Sequence, residues 1–264
     1  RGKIVEENIM KILVCIKQVP DMESKFKIDD GSTWFNTTDL AWRMNEYDEY
    51  AVEQAVQLKE QTGDGDITVL CIGSDRVKET MKKALAMGCD RGVHVDDEAN
   101  WTKDALANSS IIAEYAKEQN FDCIFTGMQS QDRGSGQTGI LLAEMLGLPC
   151  VTTIVDFSIS DGEITVKREL EGGAKAIVQV SGPAVFTCQL GLNSPRYPTL
   201  PNIMKAKKKE LLTIPAAQLQ KIAPRQQAVK MYFPAKKGGG LVLEGDGAQL
   251  AEQLIKILKD KTSV

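Results

Sequence analysis

The chain has 264 residues, 42% of them hydrophobic, enough to bury a full core as one large domain or as a domain plus an arm. Its 32 lysines and arginines against 36 acidic residues leave a net charge of −4, which gives no support for nucleic acid or an anionic membrane as the main partner. No run approaches the apolar length needed to span a bilayer, so no membrane insertion is expected.

Arg1 to Ile9 precede Met10 and contain neither a signal-peptide apolar core nor a clear transit peptide, so they read as an extension ahead of a cytoplasmic domain. Lys11 to Ile16 is an apolar run ending in Lys17 and Gln18, as expected of a strand buried on both faces in mid-sheet. Pro20 to Thr38 is polar without a sustained period and predicts a long excursion with room for a small hairpin. Met44 to Asp48 opens a helix, with Asn45 or Asp48 available as N-cap and Ala51, Ala55 and Leu58 on one stripe. Ile67 to Ile72 is the second strand, followed by a helix with Val77, Met81 and Leu85 on one face and Gly88 at its end. Gly92 to Val95 is a short third strand. It holds the only histidine, His94, which inside a strand reads as structural, and no GxSxG elbow accompanies it to suggest a hydrolase. Lys103 to Gln119 is the third helix and Cys123 to Thr126 the fourth strand.

That strand runs into a loop rich in Gly, Ser and Gln, from Gly127 to Gly139, and then into a helix from Ile140 to Leu146. A strand feeding a helix through glycines leaves unpaired N–H groups pointing at one spot, which suits a phosphate. A nucleotide is the first reading, although the loop matches neither the P-loop nor GxGxxG and an ordinary strand-to-helix turn stands beside it. The alternation of strands and helices predicts a parallel, doubly wound α/β sheet with ligands at the strand carboxyl ends.

After Pro149 the pattern changes to strands and turns. Val151 to Ile159 and Glu163 to Arg168 flank Asp161-Gly162, a hairpin signal, and Ala176 to Val180 and Ala184 to Cys188 follow. Val166 to Gly173 alternates charges beside a double glycine, which fits a solvated edge or a charged contact to a partner. From Leu192 to Lys209, Pro195, Pro198 and Pro201 stiffen a polar loop that carries Leu200, Ile203 and Met204 beside four lysines. An apolar knob next to positive charge suits docking on an acidic partner; a helix start with a solvated lysine face is the plainer reading. Pro215 to Gly247 has little periodicity and reads as an arm that packs on another subunit. It ends in an amphipathic helix with Leu250, Leu254 and Leu258 on one stripe and Asp246 near its start. The six cysteines, Cys15, Cys71, Cys89, Cys123, Cys150 and Cys188, have no CxxC spacing and mostly sit in apolar runs, which favours buried thiols over disulfides or a metal site.

The segment NSPRYPTLPNIMKAKKK (Asn193 to Lys209) closely resembles the beta subunit of electron transfer flavoprotein, and VKRELEGG (Val166 to Gly173) is similar to that family's signature. The resemblance also covers ILVCIKQVPD, MNEYDEYAVEQAVQLKE (Met44 to Glu60), ALAMGCDRGVHV (Ala84 to Val95) and the loop ending in QTG, and so extends from Met10 to about Leu211. It implies a Rossmann-like fold with a mostly parallel sheet over residues 10–211, including a recognition loop at 191–209. Residues 212–264 are then an extended C-terminal arm and terminal helix that pack on an alpha subunit. It further implies a heterodimer, an FAD held mainly by alpha at the interface, and AMP bound structurally by this chain. Carried over by position, the AMP contacts are Cys15, Asn45, Glu46, Tyr47, Asp48, Ile72, Gly127, Met128, Gln129, Ser130, Gln131, Asp132, Arg133, Gly134, Ser135, Gly136, Gln137 and Thr138. Leu200 matches the leucine that anchors the family on acyl-CoA dehydrogenases, with Tyr197, Ile203, Met204, Lys205 and Lys208 around it, while Arg168 and Glu169 match a charged pair facing the mobile flavin domain.

The implied role is electron carriage from a dehydrogenase flavin to a membrane quinone oxidoreductase or similar acceptor, with no general acid or base in this chain. One branch of the family bifurcates electrons, holds a second FAD in place of AMP, and binds NADH; its loop typically reads DGDTAQVGP. Here the matching stretch has Thr138 and lacks the proline after the glycine, which places the chain with the AMP-binding branch. Arg133 and Gly134 depart from that branch, which usually carries acidic residues there, and Arg133 has the reach for a phosphate. A stress-protein-like nucleotide-binding regulator shares the sheet, but would have nothing for the long tail to embrace.

Overall fold

The computed structural model describes residues 9–160, 162–235 and 238–261; Asp161 of the expected hairpin turn and most of the expected extension lie outside the described residues. The chain divides into two compact units, 1–230 and 231–264.

The first unit starts with β1 (Lys11–Ile16), whose residues from Ile12 onward are buried. A short ladder of β2 (Gln18–Pro20) and β3 (Trp42–Met44) closes the base of the excursion, and an isolated bridge pairs Lys27 with Asn36 inside it. Then come α1 (Glu46–Thr62), β4 (Asp66–Gly73), α2 (Val77–Met87), β5 (Arg91–Asp96), α3 (Ala105–Ala116), β6 (Cys123–Gly127) and α4 (Thr138–Leu146). The second half adds β7 (Cys150–Ser160), β8 (Glu163–Glu169), β9 (Lys175–Val180), β10 (Ala184–Cys188), α5 (Leu200–Ala206), β11 (Leu211–Pro215) and α6 (Ala216–Leu219).

Nine strands form one sheet in the order β11-β5-β4-β1-β6-β10-β7-β8-β9. The neighbours from β11 to β7 are parallel, and β8 and β9 extend the sheet antiparallel as the hairpin signals predict. The parallel strands are apolar on both faces because helices cover both. On one face Ile12, Val14 and Phe125 pack with Ala51, Ala55 and Leu58 of α1 and Met81 and Leu85 of α2. There Phe125, Phe157 and Phe186 form an aromatic trio with ring centroids 5.4–5.5 Å apart. On the other face Leu13, Leu70, Ile124 and Val185 pack with Ile111 of α3 and Leu142 of α4. The chain winds outward from β1 through β4 to β5, then crosses back to place β6 on the other side of β1. That reversal opens a crevice at the strand carboxyl ends.

Of the two readings of Leu192 to Lys209 the plainer one, a helix start, is what forms: in α5 Thr199 accepts from the Asn202 N–H at 3.4 Å and Pro201 occupies the first turn, whose N–H groups need no helical partner. One segment differs from expectation. Leu211–Pro215, placed at the start of the arm, instead pairs in parallel with β5 as a sheet edge. All six cysteines are free thiols, and all but the half-buried Cys150 are buried.

In the second unit the described helix is α7 (Gly247–Lys261). Asp246 caps it, its carboxylate accepting from the Ala248 and Gln249 N–H groups at 3.0 Å, and Leu254, Ile255 and Leu258 are exposed along it.

Candidate functional site

The ends of β1, β4 and β6 and the starts of α1 and α4 surround a cavity of about 560 Å³. Its floor depends on Asp48, in the first turn of α1 and buried. One carboxylate oxygen accepts from the Lys17 N–H at 2.7 Å and the other from the Gly127 N–H at 3.0 Å, so one side chain ties the ends of β1 and β6 to α1. Burial pushes the Asp48 carboxyl up to about 7, against the opposing pull of Asn45 and of the two backbone N–H groups. Gly127 is required at this junction, because a Cβ there would collide with Asp48 Oδ1 and come within 2.7 Å of Tyr47 Cβ.

The loop after β6 is fastened to α1 residue by residue. Asn45 occupies the N-cap position of α1 but makes no side-chain cap; its Nδ2 donates to the Gln129 carbonyl at 2.9 Å and its Oδ1 accepts from the Gln131 N–H at 3.0 Å. Gln131 Nε2 donates to Glu46 at 2.7 Å, and Gln129 Nε2 to the Tyr47 hydroxyl at 3.2 Å. The loop then turns tightly, with Gly134 and Gly136 at φ +60°, and delivers the chain to Thr138 at the start of α4. Gln137 makes no side-chain cap there, so the first-turn N–H groups of α4 take no cap from it.

Of the predicted nucleotide contacts, Cys15, Asn45, Asp48, Ile72, Gly127 to Ser130, Asp132, Arg133 and Ser135 to Thr138 line the cavity. Glu46, Tyr47, Gln131 and Gly134 do not line it; the first three hold the loop from behind. The guanidinium of Arg133 donates to the carbonyls of Lys103 (3.0 Å) and Trp101 and lies 4.9 Å over the Trp34 ring, clasping the loop to the segment after β5. The Cys15 thiol is pushed up by burial first, then by the Asp48 and Cys71 groups.

Sequence reasoning did not single out Lys17, Trp34, Asn100, Trp101, Lys103 or Asn108, all of which line the cavity. Lys17 was detectable as the charged end of the first strand. Its ammonium donates to both Asp132 oxygens at 2.7 Å and to the Ser130 hydroxyl at 3.2 Å, and burial lowers its proton affinity against the pull of Asp132. His94 is structural: it is fully buried, with Nε2 2.9 Å from the Gly73 carbonyl. Among the described residues no group of three or more His, Cys, Asp or Glu could hold a metal ion, and no helix is long and apolar enough to cross a membrane.

The residues predicted to meet partners fall in two places. Tyr197 and Leu200 are 92% and 79% exposed, and Ile203, Met204, Lys205 and Lys208 are exposed beside them. Arg196 anchors this patch to α1, its guanidinium paired with Glu53 (2.8 Å) and Glu60 (2.6 Å). Lys209 turns inward to the carbonyls of Leu85 and Cys89, away from the exposed patch. Arg168 and Glu169 end β8, hydrogen-bonded to the Thr152 hydroxyl (2.8 Å) and Gln189 (3.0 Å).

A doubly wound, mostly parallel sheet with a cavity at its switch point defines an α/β domain of Rossmann-like class. The family described as the electron transfer flavoprotein domain matches residues 33–219. Electron transfer flavoprotein subunit beta of Bacillus subtilis is 37% identical over 97% of this chain and 100% of its own length. The subunits of the same name from Syntrophomonas wolfei and Methylophilus methylotrophus are 36% and 34% identical, over 97% and 95% of this chain and 98% of each relative. The chain belongs to the electron transfer flavoprotein family, and the relatives it matches over nearly their full length are beta subunits.

Proposed function

We propose that this chain pairs with an alpha subunit and, in the cytoplasm, carries electrons from flavin dehydrogenases such as acyl-CoA dehydrogenase to a membrane quinone oxidoreductase or similar acceptor. AMP is held structurally in this chain, and FAD sits mainly in alpha at the interface. The observation that carries the reading is the cavity at the ends of β1, β4 and β6, whose loop leads to α4 with backbone N–H groups free for a phosphate.

The residues present fit a mononucleotide. Ser135 to Thr138 would receive the phosphate, with the Thr138 hydroxyl closing that end, and Cys15 and Ile72 lie where a base would rest against strand ends. Lys17 is already neutralised by Asp132, so backbone dipoles supply most of the positive field. FAD supplies the redox chemistry when bound. This chain supplies a rigid platform, with Arg196 fixing the patch around Leu200 and α7 offering an apolar stripe to alpha. Thr138 and the absence of a following proline support the AMP-binding branch over the bifurcating one.

Carriage is tested by following flavin reduction in the heterodimer. Acyl-CoA dehydrogenase with its substrate should reduce it, and Leu200→Ala should slow that reduction about tenfold or more with unchanged flavin content, as expected for a central apolar anchor. Normal turnover in the variant contradicts the docking role. Anaerobic bleaching by NADH alone would assign the chain to the bifurcating branch.

A further inference from the structure

Asn100 begins a short 3-10 turn (Asn100–Thr102) after β5 and lines the cavity. Its Nδ2 donates to the Ile72 carbonyl at the end of β4 at 3.1 Å, which fixes the amide so that oxygen is the end left over. That Oδ1 is buried and has no partner among the described residues. Asn108 of α3, on the same cavity, also carries a buried Oδ1 without a partner. Native chains rarely bury an acceptor unpaired, so two on one cavity point to a ligand that brings donors.

The turn is also held still. The Asp97 N–H donates to the Gly73 carbonyl at 3.0 Å, Lys103 pairs with Asp97, and Arg133 reaches across from the loop after β6 to the carbonyls of Trp101 and Lys103. Such a frame positions the Asn100 oxygen before a ligand arrives, and a fixed acceptor discriminates better than a mobile one.

We infer that Asn100 is a specificity-determining residue, its Oδ1 accepting a hydrogen bond from the amino group of the purine base and so selecting a 6-aminopurine over a 6-oxopurine nucleotide. The inference rests on the nucleotide reading above. A 6-oxo group would set two acceptors face to face and leave the Asn100 oxygen buried and unmade, a penalty that a site built for a donor imposes strongly. Arg133, in this arrangement, acts on recognition by pinning the reading turn.

The test uses the full chain purified with its alpha subunit, stripped of bound nucleotide, and titrated calorimetrically with AMP and IMP. Wild type is expected to bind AMP roughly 10- to 100-fold more tightly than IMP. Asn100→Leu should erase most of that ratio by weakening AMP and leaving IMP nearly unchanged. Asn100→Ala, which removes the oxygen with less steric change, should erase the ratio in the same way, so a loss of folding in the leucine variant does not end the test. Equal binding of AMP and IMP by wild type, or an unchanged ratio in a folded Asn100→Leu, overturns the inference while leaving the nucleotide reading intact. Binding of neither overturns both.

Discussion

Gly127→Ala probes the junction on which the site is built. The added Cβ would collide with Asp48 Oδ1 and lie 2.7 Å from Tyr47 Cβ and 3.2 Å from Asn45 Nδ2. None of these can swing aside: Tyr47 Cβ belongs to the first turn of α1, and Asp48 is held by the Lys17 N–H. Overpacking of this kind costs about 1–3 kcal/mol, and weakening the Gly127 N–H bond to a carboxylate about 1.5–3 kcal/mol more, so a loss of about 2.5–6 kcal/mol is expected. For a chain of this size that lowers Tm by roughly 5–24 °C. Circular dichroism during heating measures the shift, and chromatography of released nucleotide measures occupancy, which should fall with it. Gly147→Ala is the control. Gly147 has φ +65° with nothing within 4 Å, so only the left-handed backbone penalty of about 1–2 kcal/mol applies, with full occupancy. A Gly127→Ala protein melting within about 2 °C of wild type with normal nucleotide content would refute the role given to this junction.

Asp48 carries a pH signature. Its folded value of about 7 lies above its ordinary 3.8, so between these the native state holds a proton that the unfolded chain lacks. Its contribution therefore favours folding as pH falls from 8 to 5, by about 1.4 kcal/mol per unit below 7. Asp48→Asn removes that contribution, and the stability gap to wild type in urea should widen over this range; parallel profiles would count against it. Arg196→Ala strands the Glu53 carboxylate, which is 3% exposed. A loss of about 2 kcal/mol is expected, below the figure for a fully buried pair because the Arg196 side chain is one-third exposed. Glu53→Gln in the same chain should recover much of it, and a double-mutant cycle by denaturant unfolding reads the coupling.

Runs such as Lys11–Ile16 and Cys123–Gly127 were legible because a strand buried on both faces must be apolar throughout, and the glycines after Phe125 marked the turn at the strand's end. Leu211–Pro215 was hidden for the opposite reason: it is a five-residue edge strand, largely exposed, directly after a lysine run. A helix start at α5 was legible beside the loop reading, because Pro201 falls in the first turn, where proline is tolerated. Asn45 looked like a helix cap because local pattern carries no information on partners 84 and 86 positions away. The clasp of Arg133 on Trp34 and the carbonyls of Trp101 and Lys103 is likewise a tertiary event between loops without periodicity. The family motifs marked the positions of the cavity, but only the fold separates residues that line it from those, such as Tyr47 and Glu46, that brace its loop.

The most direct test of the account is the nucleotide content of the heterodimer. The chain is co-purified with its alpha subunit, the complex is denatured, and the released nucleotides are separated and quantified against protein. One AMP and one FAD per heterodimer is the predicted result. Two FAD and no AMP would contradict the reading of the Gln137-Thr138-Gly139 turn and make this a bifurcating subunit.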